Sequence, residues 1–299
     1  MNWVPLLFID AVCHQLTVDS VKRVKDLSGF WSEFGAEHGK KRREFTFECV
    51  LDEEEAGYRI VQLDWRYVVL FEDLDLKYDR IISILFRPDQ SSIHPDSRSI
   101  RKAAFKNIPL VLFECVVLPT IASLVTNCVW PNVNPATSAQ NRILFNAFKN
   151  CPGFKEITVD EQGEETRDFV ARQVEFGKVQ RLELYLNPGA MTWPEPDKLA
   201  ETLKDFVSSE RFYALCAPNS LPTVFELFAL FFKRGVAGEL KRGAFIVIKH
   251  GTFDVRQLDA LYPECRGRWE EVAAKQQWRI PDSNLRIAFY QAGCMMIVE

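Results

Sequence analysis

Four histidines (His14, His38, His94 and His250) and eight cysteines are the side chains that could hold a metal or attack a substrate in this chain. Neither set has the spacing such chemistry needs. No His-Glu-x-x-His run occurs, and the closest cysteines, Cys115 and Cys128, are 13 positions apart, which excludes the Cys-x-x-Cys pairs of a zinc ribbon. The histidines read as surface or boundary side chains. The cysteines, several in runs such as FECVVL and AGCMMIV, read as small hydrophobes. Gly238 and Gly243 have the glycine spacing of a phosphate loop, but Ala244-Phe245 follow where Lys-Ser/Thr must reach phosphate and magnesium. Gly-x-Gly-x-x-Gly and Gly-x-Ser-x-Gly are absent, so neither a dinucleotide turn nor a nucleophile elbow is visible. The acidic clusters Asp52–Glu55 and Asp160–Glu165 read as solvated charge in turns, because carboxylates that do acid–base work need environments that split their pKa values. An enzyme would have to gather residues distant in sequence, such as His250 with Asp254 and a cysteine. The sequence predicts no catalytic residues, no metal and no cofactor, hence a chain that is not an enzyme.

The elements available to position any site come from an ordinary folded composition. Of 299 residues, 47% are hydrophobic and 26% charged, and the net charge is -4. That is far from the signature of disorder and offers no electrostatic argument for nucleic acid or an anionic membrane. The basic run Lys40-Lys41-Arg42-Arg43 reads as a solvated connection, with nuclear import as the alternative. The opening residues lack a basic region followed by an apolar run and a small-residue cleavage site, so no signal peptide is expected there. Free cysteines without a paired framework suggest a reducing, intracellular compartment, cytoplasmic or nuclear. Residues 110–130 are apolar enough to suggest a membrane span, but Glu114, Pro119 and Asn127 favour a buried strand followed by a buried helix.

Residues up to about 45 read as helices. Pro5 suits a first turn, Phe8/Ile9, Val12 and Leu16 share one face, and Asp19 or Ser20 is the expected N-cap of a second helix carrying Val21, Val24 and Leu27. Strand-like runs follow at 45–51, 58–65, 82–86, 110–118, 157–159, 179–186, 212–216, 244–250 and 285–290. Helical segments are expected at 164–176, 196–207 and 223–235, the last closed by a glycine. Alternating strands and helices predict an α/β fold (α+β overall). The later strands recur at intervals of about 20 to 40 residues, which suggests irregular, leucine-rich-repeat-like βα units, with an ordinary α/β domain as the alternative. Loops are expected at 88–98, 131–141, 187–197 and 217–222.

The opening VPLLFIDAVCHQLTVDSVKRVKDLSGFW, with Val4-Pro5, Val12, Leu16, Leu27-Ser28 and Trp31 in order, resembles the F-box. Together with the following GFWSEFGAEHGKKRREFTFECVLD, it is similar to a nematode-expanded family of F-box-like proteins with divergent βα repeats. Leu7 departs from the pattern at a position that is usually acidic, and Ser20-Val21 replaces the commoner Asp-Leu-Leu. The resemblance implies an F-box-like helical module over residues 1–45 and a βα repeat-like substrate-binding domain over 46–299. It also implies a non-enzymatic substrate receptor of a Skp–cullin–F-box ubiquitin ligase, whose partners are a Skp-type adaptor with its cullin complex and an unknown protein substrate. The partner-binding residues would be Val4, Pro5, Leu6, Phe8, Ile9, Val12 and Leu16, with Leu27 and Trp31 as internal core of the module. The alternative is a βα-repeat interaction protein without adaptor binding. No nucleic acid and no membrane enter either reading.

Overall fold

The computed structural model describes residues 4–62, 67–86, 105–130, 138–161, 163–186, 196–218, 223–249, 268–272, 275–279, 285–290 and 293–299. The chain divides into two compact units, Met1–Phe154 and Lys155–Glu299.

Three helices open the first unit: α1 (Leu6–Gln15), α2 (Val18–Val24) and α3 (Phe30–Lys41). Pro5 stands at the N-cap of α1 with extended backbone, where its missing N–H leaves no helical bond unmade. Thr17 caps α2 in place of the expected Asp19 or Ser20. Its Oγ1 accepts the Ser20 N–H at 3.2 Å, because a hydroxyl one residue ahead of the helix reaches the orphan amides of the first turn. Gly29 turns the chain into α3 with φ 66°, a conformation that favours glycine. Gly35 sits where α3 crosses α2: a Cβ there would lie 2.7 Å from the Lys25 backbone nitrogen and 2.9 Å from the Val24 carbonyl carbon.

The sheet of this unit starts with β1 (Arg43–Leu51) and β2 (Glu55–Gln62), an antiparallel pair. The next strands are β3 (Val68–Val69), β4 (Asp79–Phe86), β5 (Lys106–Pro109) and β6 (Val125–Trp130). β4 lies parallel to β1, β6 parallel to β4, and β3 and β5 pair with the outer side of β2. Phe45, Phe47, Ile60, Ile81 and Ile84 are buried along these strands. Residues 110–118, expected as a strand, are helical instead: α4 (Leu110–Leu112), a π-helical turn over Phe113–Val117, and α5 (Leu118–Leu124). Phe113, Val117, Leu118, Ile121 and Leu124 form the buried side, a helical spacing hidden inside a run that is apolar throughout. Pro119 cannot donate to the preceding turn, and the wider π-helical turn lies immediately before it. The order over 110–130 is thus helix then strand, the reverse of the expectation. Phe113 stacks on Phe47, ring centroids 6.2 Å apart. Trp130 is packed by Phe86, by Phe154 and by Phe145 and Phe148 of α6 (Ser138–Phe148).

The second unit alternates strand and helix: β7 (Phe154–Glu161), α7 (Glu164–Glu175), β8 (Arg181–Leu186), α8 (Pro196–Ser208), β9 (Ala214–Pro218), α9 (Val224–Val236) and β10 (Phe245–Lys249). Neighbouring strands are parallel and lie in sequence order. Then β11 (Arg268–Val272), β12 (Lys275–Arg279), β13 (Leu285–Tyr290) and β14 (Gly293–Val298) form an antiparallel meander whose last strand pairs with β10. Leu182 and Leu184 of β8, Leu203 and Phe206 of α8, and Leu227, Phe228, Phe231 and Phe232 of α9 are buried. The glycine expected to close α9, Gly235, lies inside it and admits Leu285, whose Cδ1 would stand 2.7 Å from a Cβ there. Gly238, φ 71°, follows the helix end.

The fold is mixed α/β, as expected. Of the expected loops, residues 138–141, 196–197 and 217–218 belong to α6, α8 and β9, and the rest lie outside the described residues. Among the described residues no helix is long and apolar enough to cross a membrane.

Candidate functional site

The N-terminal helices carry an apolar surface that the fold does not use. Leu6 is 46% exposed, Leu7 83% and Phe8 54%, whereas Ile9 is 2% exposed. Four consecutive apolar residues on one turn of helix cannot all face inward, and α1 turns Ile9 and Cys13 into the unit. Of the seven residues singled out from sequence, Pro5, Leu6 and Phe8 are exposed, Val4, Val12 and Leu16 half-buried, and Ile9 buried. Beside this face opens a cleft of about 530 Å³, lined by Val4, Ile9, Leu27, Phe30, Trp31 and Glu33 around the Ser28-Gly29 turn. Leu27 and Trp31 are not the closed core expected of them. Leu27 is 54% exposed and Trp31 half-buried, because α2 ends at Val24 and the turn to α3 carries Leu27 away from the packed crossing. The Trp31 indole Nε1 is buried without a hydrogen-bond partner among the described residues.

What holds α1 down is polar. His38 of α3, expected near the surface, is fully buried, and its Nε2–H donates to Asp10 of α1 at 2.8 Å. Asp10 also pairs with Lys77 at 3.2 Å. The Tyr78 and His38 rings meet in a T-shaped arrangement with centroids 5.2 Å apart, and the His14 and His38 rings do so at 6.1 Å. Two guanidinium groups then close the C-terminal end of α1. Arg42 donates to the carbonyls of Cys13, His14 and Leu16, and Arg80 to that of His14, cations placed where the helix dipole favours them. The basic run is a solvated connection only in its first half, where Lys40 and Lys41 are exposed. Arg42 is buried, and Arg43 donates through Nε and Nη2 to the fully buried Asp79 at 2.8 and 2.6 Å.

The environment shifts these groups. Burial, then the Arg80 charge, pushes the His14 pKa down to about 4. Burial also lowers that of His38, although the Asp10 hydrogen bond opposes it. For Asp10, burial pushes upward, but hydrogen bonds from His38 and Lys77 outweigh it and hold the carboxyl below its ordinary value. Lys41 and the Tyr78 hydroxyl, both donating to Glu37, take its carboxyl down to about 2. Only the four-residue spacing of Asp10 and His14 hinted at this cluster in the sequence. His38, Arg42, Tyr78 and Arg80 meet through tertiary structure alone.

Among the described residues no three His, Cys, Asp or Glu side chains gather as a metal site. The described cysteines are free, and all are buried except Cys115. His94, His250, Asp254 and Cys265 lie outside the described residues.

No family model matches the chain, and no curated protein matches it. Solved structures that do match include two of MycE methyltransferase from the mycinamycin biosynthetic pathway. One is in complex with Mg, SAH and mycinamycin VI, at 10% identity and a TM-score of 0.24, and the other with Mg and SAH, at 9% and 0.25. Each covers 97% of this chain and 87% of the methyltransferase. Similarity of this size carries no argument for methyl transfer here. The expectation of a non-enzymatic ubiquitin-ligase substrate receptor is nonetheless corrected: nothing in these comparisons supports a ligase-receptor role, the two matched structures named are of a methyltransferase, and the exclusion of catalysis is withdrawn with it.

Proposed function

We propose that residues 1–45 are a docking module of F-box-like kind, which takes an apolar helix of a partner protein along α1 and into the adjoining cleft. The observation that carries this reading is the exposure of Leu6, Leu7 and Phe8 on the first turns of α1, beside an apolar cleft walled by Leu27, Phe30 and Trp31. Contiguous exposed apolar surface rimmed by polar groups marks interaction sites, and helix-in-groove recognition uses anchors at this spacing. Burying a leucine and a phenylalanine side chain supplies about 1.5–3 kcal/mol each, so Leu7 and Phe8 together account for a large part of a micromolar affinity. The partner that the F-box resemblance implies is a Skp-type adaptor. Within 46–299, the run β7 to β10 with α7 to α9 between is read as a leucine-rich-repeat-like array. Parallel strands in sequence order support it. No ligase role and no absence of catalysis belongs to this reading.

The test is binding of a purified Skp-type adaptor to the full chain and to a Leu7→Asp/Phe8→Asp variant, with circular dichroism as the control for folding. Binding by the wild type that falls at least about tenfold in the folded variant supports docking. Equal binding by both, or none by a folded wild type, refutes it.

A further inference from the structure

We infer that His14 and His38 make the seating of α1 acid-sensitive: α1 stays docked while both imidazoles are neutral, and its C-terminal half lifts away as they take up protons. The His38 ring is fully buried, and the groups around it are already engaged. From α1 it meets Asp10, which already accepts its Nε2–H at 2.8 Å, and the edge of the His14 ring. From the segment leading into β4 it meets the Tyr78 ring in a T-shaped contact, with Lys77 engaged on the same Asp10 carboxylate. From its own helix come Glu37, committed to Lys41 and the Tyr78 hydroxyl, and Arg42. The second ring nitrogen, Nδ1, is buried with no hydrogen-bond partner among the described residues. A proton arriving there makes a buried N–H with no acceptor, a cost that adds to the burial of the ring and offsets what its pairing with Asp10 returns.

His14 tightens the same constraint. Its carbonyl accepts from both Arg42 and Arg80, so its ring stands beside two guanidinium groups. Those groups bond to carbonyls rather than to carboxylates: Arg42 to three on α1, and Arg80 to His14, Lys77 and Asp79. Protonating both histidines would add two positive charges to those of Arg42, Arg80 and Lys77, with Asp10 beside the rings, Glu44 near Arg42, and Asp75 and Asp79 near Arg80. Little apolar packing opposes release, since Ile9 and Cys13 are the buried residues of α1.

The direction follows from linkage. Both rings have pKa values below the ordinary 6.5, His14 at about 4, so the folded state binds fewer protons than the released state. Stability is complete above pH 6.5 and is lost as pH falls toward about 4. The opening tested below needs no partner. Its consequence for docking rests on the proposed module, because α1 carries that face.

The test uses Cys13, whose thiol is fully buried under α1, with Cys49, fully buried in β1, as the internal reference. The full chain is labelled with 4,4′-dithiodipyridine, which reacts with thiols in acid, from pH 7.5 to 4, and modification at each cysteine is read by peptide mass spectrometry. The expected result is at least about a tenfold rise in Cys13 labelling between pH 6.5 and 4, while Cys49 stays protected. A His14→Gln/His38→Gln variant, which keeps neutral donors but cannot take up the protons, should lose that rise. Cys13 protected throughout, Cys13 and Cys49 labelled together, or a folded variant that opens like the wild type would each overturn the proposal. If the variant does not fold, the wild-type titration decides. Loss of adaptor binding with an intact acid response would fault the docking reading alone.

Discussion

Helices α1 and α9 bury their apolar residues to opposite degrees. In α9, Leu227, Phe228, Phe231 and Phe232 are all buried, and the helix is held by the non-directional burial that dominates folding. In α1, Leu6, Leu7 and Phe8 face outward while an Asp–His pair and two capping guanidinium groups do the holding. An apolar attachment tolerates small shifts of geometry and is insensitive to protons. A polar attachment fixes one geometry, titrates, and leaves apolar side chains free for another surface. The two ends of the chain thus show how similar amounts of apolar sequence serve inward packing in one place and outward presentation in another.

The contrast breaks first at the apolar end. Phe231→Ala removes a fully buried ring and should destabilise the second unit by about 3–5 kcal/mol, read as earlier urea unfolding of that unit by hydrogen exchange. A smaller loss would mean that α9 is not anchored by its phenylalanines. Next is the crossing of α2 and α3. Gly35→Ala forces a methyl against the Lys25 backbone and should cost about 1–3 kcal/mol, seen as faster exchange across residues 18–41. Arg42→Met keeps the stem but strips the caps from the Cys13, His14 and Leu16 carbonyls. The expected cost is about 1–3 kcal/mol, confined to α1, and Cys13 labelling at neutral pH should rise. If Arg42→Met left Cys13 protected, the polar attachment would be ornamental and the contrast with α9 would fail. At the small end, Leu7→Ser should change stability by no more than about 0.5 kcal/mol in a thermal melt, because Leu7 is 83% exposed. A larger loss would show Leu7 to be packed in solution.

Much of the architecture was legible, and for a physical reason. β1, β2, β4, β7 to β10, β13 and α7 to α9 announce themselves through local periodicity, either period two or a 3.6-residue stripe, and each forms within a residue or a few of its expected bounds. Residues 110–118 were misread because a run apolar on every side has no period. Its exposed Val111, Leu112 and Val116 look the same in sequence as its buried Phe113 and Val117. At the candidate site, the sequence marked the first turns of α1 but placed Ile9 outside and Leu27 inside. One turn of helix decides both, and composition does not record which way it faces. Beyond the spacing of Asp10 and His14 the polar cluster left no mark in the sequence, since Asp10, His38, Arg42 and Arg80 are brought together across 70 residues of chain.

Gly35 carries a consequence for descent. A Cβ at that position runs into main-chain atoms of α2, which no change of rotamer can move aside. A lineage that keeps the crossing this close is therefore expected to favour glycine there, while the exposed Leu7 is free to drift among side chains that suit whatever it meets. Relatives with a larger residue at the column of Gly35 should hold α2 and α3 farther apart at this crossing.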